Sequence, residues 1–167
     1  MSIELPSRFK HTIISDGIRS ACLENPLKVA FKHGDKTRTY DELTQRMDAI
    51  AGIISSSDIP LKSNIAIVAS NSIEYMEIVL ASSQLGHPIA TINPKLTATE
   101  LVSICEDAEA KLLFVDEKAH SLLEGIEIKG IKRIIDTDNQ MEDLIGQTDC
   151  REELLPVAET DTFTIPY

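Results

Sequence analysis

From Ile65 onward the chain alternates between two rhythms. Short runs rich in apolar residues occur as IAIVA (65–69), PIATI (88–92), KLLFV (111–115) and IKRII (131–135). Each has the length and composition of a strand covered on both faces. Between them lie NSIEYMEIVLASSQLG, the stretch opened by TATE (97–100), and EKAHSLLEG, whose apolar residues recur at helical spacing. Strand and helix thus repeat three times before a fourth strand. Short links of this kind predict right-handed crossovers and a mostly parallel sheet. A further strand is expected over Thr162 to Tyr167.

Upstream, Ile14, Ile18, Ala21 and Cys22 predict a helix over about 12–23, stopped by Asn25-Pro26. VAFKHGDKTRTY alternates, turns at Gly34-Asp35 and resumes, the pattern of a β-hairpin. Thr39 with Glu42 and Thr97 with Glu100 have the spacing of capping boxes, each starting an amphipathic helix. Asn71, with Glu74 as reciprocal partner, is expected to cap the helix that ends at Gly86. The fold class read from these patterns is α/β, a mostly parallel sheet with flanking helices and an N-terminal β-hairpin. Residues 1–167 read as one partial domain. Residues 136–161 are rich in acids with Arg151 as the one base, and read mostly as a surface excursion, with a turn of helix in QMEDLIG.

Composition adds limits. Hydrophobic residues make up 43% of 167, enough for one sizeable core. The formal net charge of -11 repels phosphate backbones and anionic lipid, which argues against non-specific nucleic-acid binding. Cys22, Cys105 and Cys150 are far apart and form no C-x-x-C pair, the usage of a reducing cytoplasm. His11, His33, His87 and His120 lack metal-ligand spacing. The N-terminus has no long apolar run, and no signal peptide or membrane span is expected.

Familiar catalytic devices are missing from the sequence. It has no G-x-G-x-x-G, no G-x-x-x-x-G-K-[ST], no G-x-S-x-G and no H-E-x-x-H. What remains is position, because open α/β sheets bind ligands beyond the carboxyl ends of their strands. Those ends carry Ser70-Asn71-Ser72, Asn93-Pro94, Asp116 and Asp136. Asn71 and Ser72 open a helix and either cap it or help hold an anion there. Asn93-Pro94 reads as a rigid turn and Tyr40 as packing at the hairpin-to-helix corner. Glu106-Asp107 and Glu152-Glu153 read as solvated charges.

Three stretches together resemble the N-terminal region of the adenylate-forming enzymes: the acyl-CoA synthetases, the adenylation domains of peptide synthetases, and the luciferases. They are TRTYDELTQRMDAIAGII, the run from IAIVASNS to LLFVD, and the ending TDTFTIPY. Thr39 to Leu43 match the family's L-T-Y-x-E-L after its first Leu. Asn71-Ser72-Ile73-Glu74-Tyr75 match P-N-S-x-E-F, with Ser70 in place of Pro. Gly86, Asn93-Pro94 and Thr97 to Leu101 follow in the expected order, covering about Pro26 to Tyr167. His87 departs from the usual Gly-Ala, as a packing variation or as part of a specific edge. NPKLTATEL is more similar to the acyl- and aryl-CoA ligases than to the peptide-synthetase domains.

The resemblance implies a parent that joins a carboxylic acid to ATP, giving an acyl-adenylate, and then to a thiol such as CoA, with ATP, Mg and CoA as cofactors. In the family a strand ending in Tyr leads into Y-T-S-G-T-T-G-x-P-K-G, whereas here nothing follows Tyr167. The matched residues are scaffold, so no catalytic, cofactor-binding or metal residue is assigned. The expectation is a truncated, inactive fragment with no bound cofactor and an exposed apolar sheet edge able to form dimers. A stand-alone binding or interaction module that kept the scaffold is the alternative. An unrelated flavodoxin-like nucleotide binder, with a well-closed sheet and a ligand at the strand ends, is a third reading.

Overall fold

A computed structural model describes residues 13–148 and 157–167. Helix α1 (Ile14–Glu24) precedes the hairpin β1 (Val29–His33) and β2 (Lys36–Thr39). Helix α2 (Tyr40–Ser55) leads into β3 (Ile65–Val68), α3 (Ile73–Gln84), β4 (Ile89–Ile92), α4 (Ala98–Asp107) and β5 (Leu112–Val115). Then come α5 (Glu117–Leu123), β6 (Arg133–Asp136), α6 (Met141–Gln147) and β7 (Thr164–Pro166). The hairpin is a separate antiparallel pair, and the other five strands form one parallel sheet in the order β6-β5-β3-β4-β7. The predicted α/β class and its N-terminal hairpin are both present.

Period-two alternation divides the strand residues between two layers. Ile65, Ile67, Ile89, Leu112, Phe114 and Ile135 face one side, against Ile50 and Ile54 of α2, Ile78 of α3 and Met141 of α6. Ala66, Val68, Ala90, Ile92, Leu113 and Val115 face the other, against Leu101 and Cys105 of α4 and Ala119 and Leu123 of α5. Burial on both faces explains why these strands read as apolar runs. Helices α3 and α4 lie on opposite faces. The step from β3 to β4 and the return past β3 to β5 therefore share one hand, the right-handed hand of parallel crossovers.

The helix starts test the capping expectations. Thr39 with Glu42 and Thr97 with Glu100 form both halves of a capping box. At α3 the expectation is corrected. Ser72, not Asn71, is the cap, accepting from the Tyr75 amide at 3.0 Å in extended geometry. Glu74 turns away to pair with Lys36 and Arg38, which leaves Asn71 free for the loop beyond β3.

The acidic stretch is drawn in further than its composition suggests. Asp136 and Thr137 are buried, Met141 is fully buried, and Leu144 and Ile145 pack on the core. Met141–Gln147 is thus a two-turn helix, with Met141, Leu144 and Ile145 turned to the core. Cys150, Arg151 and Glu152-Glu153, like His11, lie outside the described residues. His87 is a packing residue. Its Nδ1 lies 2.7 Å from the Ser63 carbonyl, and burial pushes its pKa down toward the neutral ring.

Strands β6 and β7 are the sheet edges. The Phe163 carbonyl and Tyr167 amide bond β4, each at 3.1 Å. By alternation, Thr164 and Pro166 direct their backbones outward, and Pro166 has no N–H to offer. The apolar edge expected here is therefore poor in donors.

One buried carboxylate joins the hairpin and α2 to α3. Glu77 of α3 is fully buried. Its Oε1 accepts from Arg38 Nε at 2.9 Å, and its Oε2 from Arg46 Nε at 2.7 Å. Arg46 continues to Glu142 of α6 with two bonds, at 2.7 and 3.0 Å. Burial opposes the Arg46 charge, but Glu142 and Glu77 outweigh it and hold the group above its usual range. Replacing Glu77 by Ala would leave Arg38 and Arg46 facing each other without their shared anion. Urea unfolding is expected to show a loss of about 3–5 kcal/mol. Glu142→Ala, at the solvent end, is expected to cost less than about 1 kcal/mol.

Candidate functional site

The carboxyl ends of the strands sort the residues singled out by position into two groups. The first lies where the strand order reverses, between β3 and β5, the usual ligand crevice of an open sheet. Here that crevice is bridged by protein. Asp116 Oδ2 accepts from the Ser70 amide at 2.9 Å and lies 3.2 Å from the Ser70 hydroxyl. Its other oxygen, Oδ1, takes the Ala119 amide at 2.9 Å and caps α5. The carboxylate occupies the donors that an anionic ligand would seek, which weighs against the flavodoxin-like reading.

Beside it, Asp136 ends β6. Its Oδ1 accepts the amides of Asp138 (2.9 Å) and Asn139 (3.0 Å), and its Oδ2 accepts the Asn139 side chain (2.9 Å). The Nδ1 of His120 lies 3.2 Å from Oδ2. Burial opposes ionisation of Asp136, but the Asn139 side chain and the Asn139 and Asp138 amides outweigh it and hold the carboxyl below its usual range. This is loop closure: the carboxylate organises the turn into α6.

The second group surrounds an open cleft of about 420 Å³ at the ends of β3, β4 and β7. Its walls carry Asn71, Tyr75, Thr91, Asn93, Lys95 and Tyr167. Asn93 makes the predicted turn, its Oδ1 taking the Lys95 amide at 3.0 Å. Tyr75 bonds Thr91, yet burial prevails and raises the phenol pKa. Tyr167 donates to Asp107 Oδ2 at 2.8 Å, and that bond raises its pKa as well. Asp107, read from sequence as a solvated charge, thus holds the aromatic lip of the cleft. Sequence reasoning placed Asn71 and Asn93 at the strand ends but missed Tyr75, Thr91 and Lys95. The spacing of Asn71 and Tyr75, four residues apart across a helix start, was the available signal.

The cleft does not compose a triphosphate site. Lys95 is the one cation among its lining residues, and the amide and hydroxyl of Ser70 are committed to Asp116. Among the described residues no group of three or more His, Cys, Asp or Glu could hold a metal ion. No helix there is long and apolar enough to cross a membrane. Burial pushes the Cys105 thiol pKa up to about 11, so it is an inert core residue.

The comparisons with known proteins bear on this architecture. The family described as "AMP-binding enzyme" matches residues 18–167. The chain belongs to that family. Among curated AMP-binding relatives it is similar to the naringenin synthase of Pestalotiopsis fici, 27% identical over 123 residues, which are 74% of this chain and 4% of that protein. It is also similar to the 2-succinylbenzoate–CoA ligase of Geobacillus kaustophilus, 26% identical over 114 residues, 68% of this chain and 23% of that one. Among solved structures, the Mycobacterium tuberculosis fatty acyl CoA synthetase superposes with a TM-score of 0.84 at 18% identity. That match covers 97% of this chain and 33% of the synthetase, and carries the fold alone. The chain therefore spans less than a quarter of these curated relatives and about a third of the solved one. It has the fold of the N-terminal part of an adenylate-forming ligase.

The acid limb of the stability profile tests the Asp136 assignment. A carboxyl with a lowered folded pKa contributes fully above its ordinary value of 3.8 and loses that contribution as pH falls through the folded value. Thermal unfolding of Asp136→Asn is expected to show a reduced midpoint near pH 7 and a flatter decline below about pH 4 than the parent chain.

Proposed function

We propose that this chain is the opening part of an ATP-dependent acid–thiol ligase of the acyl-CoA synthetase type. The parent joins a carboxylic acid to ATP, releases pyrophosphate, and passes the acyl group from the adenylate to a thiol such as CoA. One observation carries the reading most: β7 lies parallel beside β4 and brings Tyr167 to the open cleft. A phosphate-binding loop following Tyr167 would emerge at that cleft. The family match over residues 18–167 supports the same assignment.

In this reading ATP, magnesium and CoA are held mainly by residues outside the 167, since the cleft residues do not fit a triphosphate. The chain's own part is to supply the sheet, the loop after β3 and the lip at Tyr167. The cysteine usage supports a cytoplasmic setting. A non-catalytic module keeping the scaffold is the second reading, favoured by a sheet already covered on both faces.

Exchange of labelled pyrophosphate into ATP separates the two. With a panel of alkyl and aryl carboxylic acids, the purified 167-residue chain is expected to give no exchange above buffer. The polypeptide encoded by the whole reading frame is expected to give acid-dependent exchange. Robust exchange by the chain alone would overturn its predicted inactivity. A silent full-length product would overturn the ligase reading in favour of the module.

A further inference from the structure

Asp107 is the last residue of α4, and the position opposes its charge. The C-terminal end of a helix carries the negative pole of the dipole, so a carboxylate there is unfavourable. Glu106 adds a second acid, and the last turn of α4 contains no base. Each acid instead meets a donor from another part of the chain. Glu106 Oε1 accepts from the Lys129 amide at 3.3 Å, and Asp107 Oδ2 accepts from the Tyr167 phenol at 2.8 Å. The Tyr167 contact is exposed, and a hydrogen bond in water adds little to global stability. Its effect is therefore local, at Tyr167.

Tyr167 is held twice. Its amide donates to the Thr91 carbonyl of β4 at 3.1 Å, and its phenol reaches Asp107. The first bond fixes where the chain leaves the sheet. The second, at the far end of the ring, removes the freedom of the residue to turn about the first. Thr91 also bonds Tyr75 of α3 through its side chain. The series Tyr75, Thr91, Tyr167 and Asp107 thus runs from a helix on one face of the sheet to a helix on the other. Tyr75, Thr91 and Tyr167 line the cleft, whereas Asp107 lies outside its walls and acts on it only through Tyr167.

We infer that Asp107 is a positioning residue: by holding the Tyr167 phenol it fixes the direction in which the chain leaves β7 at the cleft. The inference rests on the ligase reading, in which the segment after Tyr167 is the phosphate-binding loop. A loop whose first residue is already ordered loses less conformational freedom when it closes on a ligand. The contact does not change as the reaction proceeds. Its loss therefore weakens nucleotide binding without slowing the chemical step.

Two measurements test this. In the 167-residue chain, hydrogen exchange of the Tyr167 amide reports the order of the exit. Asp107→Ala and Tyr167→Phe are each expected to speed it at least about fivefold, with the Ile67 and Leu113 amides at the sheet centre unchanged. Asp107→Asn, which keeps an acceptor oxygen, is expected to stay within about twofold of the parent chain.

In the polypeptide encoded by the whole reading frame, pyrophosphate exchange at varied ATP gives the second readout. Asp107→Ala and Tyr167→Phe are each expected to raise the ATP KM about five- to tenfold, with the maximal rate within about twofold. The double variant is expected to match the worse single one, and Asp107→Asn to restore the KM. Glu106→Ala, one residue away, is expected to leave both constants unchanged. The inference alone is overturned if exchange is present and the ATP KM ignores Asp107→Ala, if the two substitutions add, or if the maximal rate falls while the KM stays. Tyr167 amide exchange that ignores Asp107→Ala overturns it too. A full-length product silent in every form removes the ligase reading and this inference with it.

Discussion

A single carboxylate with no access to solvent sets the relation between the two parts of this molecule. Glu77 sits in α3, whose apolar side lies on the parallel sheet, and it binds Arg38 from the hairpin and Arg46 from α2. The cost of desolvating three charged groups is offset only when all their donors and acceptors are matched. Here the match is close, because the two Nε donors meet different oxygens. The clasp ties Arg38 of the hairpin and Arg46 of α2 to one point on α3. A second polar contact joins α1 to α2 and α3. Arg19 of α1 reaches Asp48, and its Nη2 donates to the Gln84 side-chain carbonyl at 3.0 Å.

That arrangement has a consequence for the cleft. Lys36 and Arg38 draw Glu74 toward the hairpin, so it cannot act as the reciprocal partner of a cap. Ser72 then caps α3 alone, and Asn71 is left on the cleft wall. The same first turn of α3 thus fastens the hairpin on one side and shapes the opening on the other. At the neighbouring switch point, Asp116 has already used the polar groups of Ser70. The open space therefore lies off the centre of the sheet, over β4 and β7.

Much of this was legible in the sequence where local chemistry and long-range packing agree. The doubly covered strands, the two complete capping boxes and the hairpin could be read from short windows, since each depends on neighbours within a few residues. The AMP-binding resemblance added the order of those windows, which no single window carries. What could not be read depends on partners far along the chain. Glu74 looked like a cap residue because its partners, Lys36 and Arg38, lie more than thirty positions upstream. QMEDLIG looked like surface because it lies in an acid-rich stretch, although Met141, Leu144 and Ile145 were enough to seat it. The cleft was half visible: Asn71 and Asn93 follow from strand ends, while the lip needs Tyr167 and Asp107, sixty positions apart.

The strand order β6-β5-β3-β4-β7 also bears on how the chain is made. Of these five strands, β3 leaves the ribosome first and becomes the centre. Strand β4 then joins on one flank, β5 on the other, β6 outside β5, and β7 outside β4. No strand has to be threaded between two that are already paired. Each newly synthesised segment meets a waiting edge, so the nascent sheet can widen from its centre during translation. Vectorial synthesis and native topology run in the same direction.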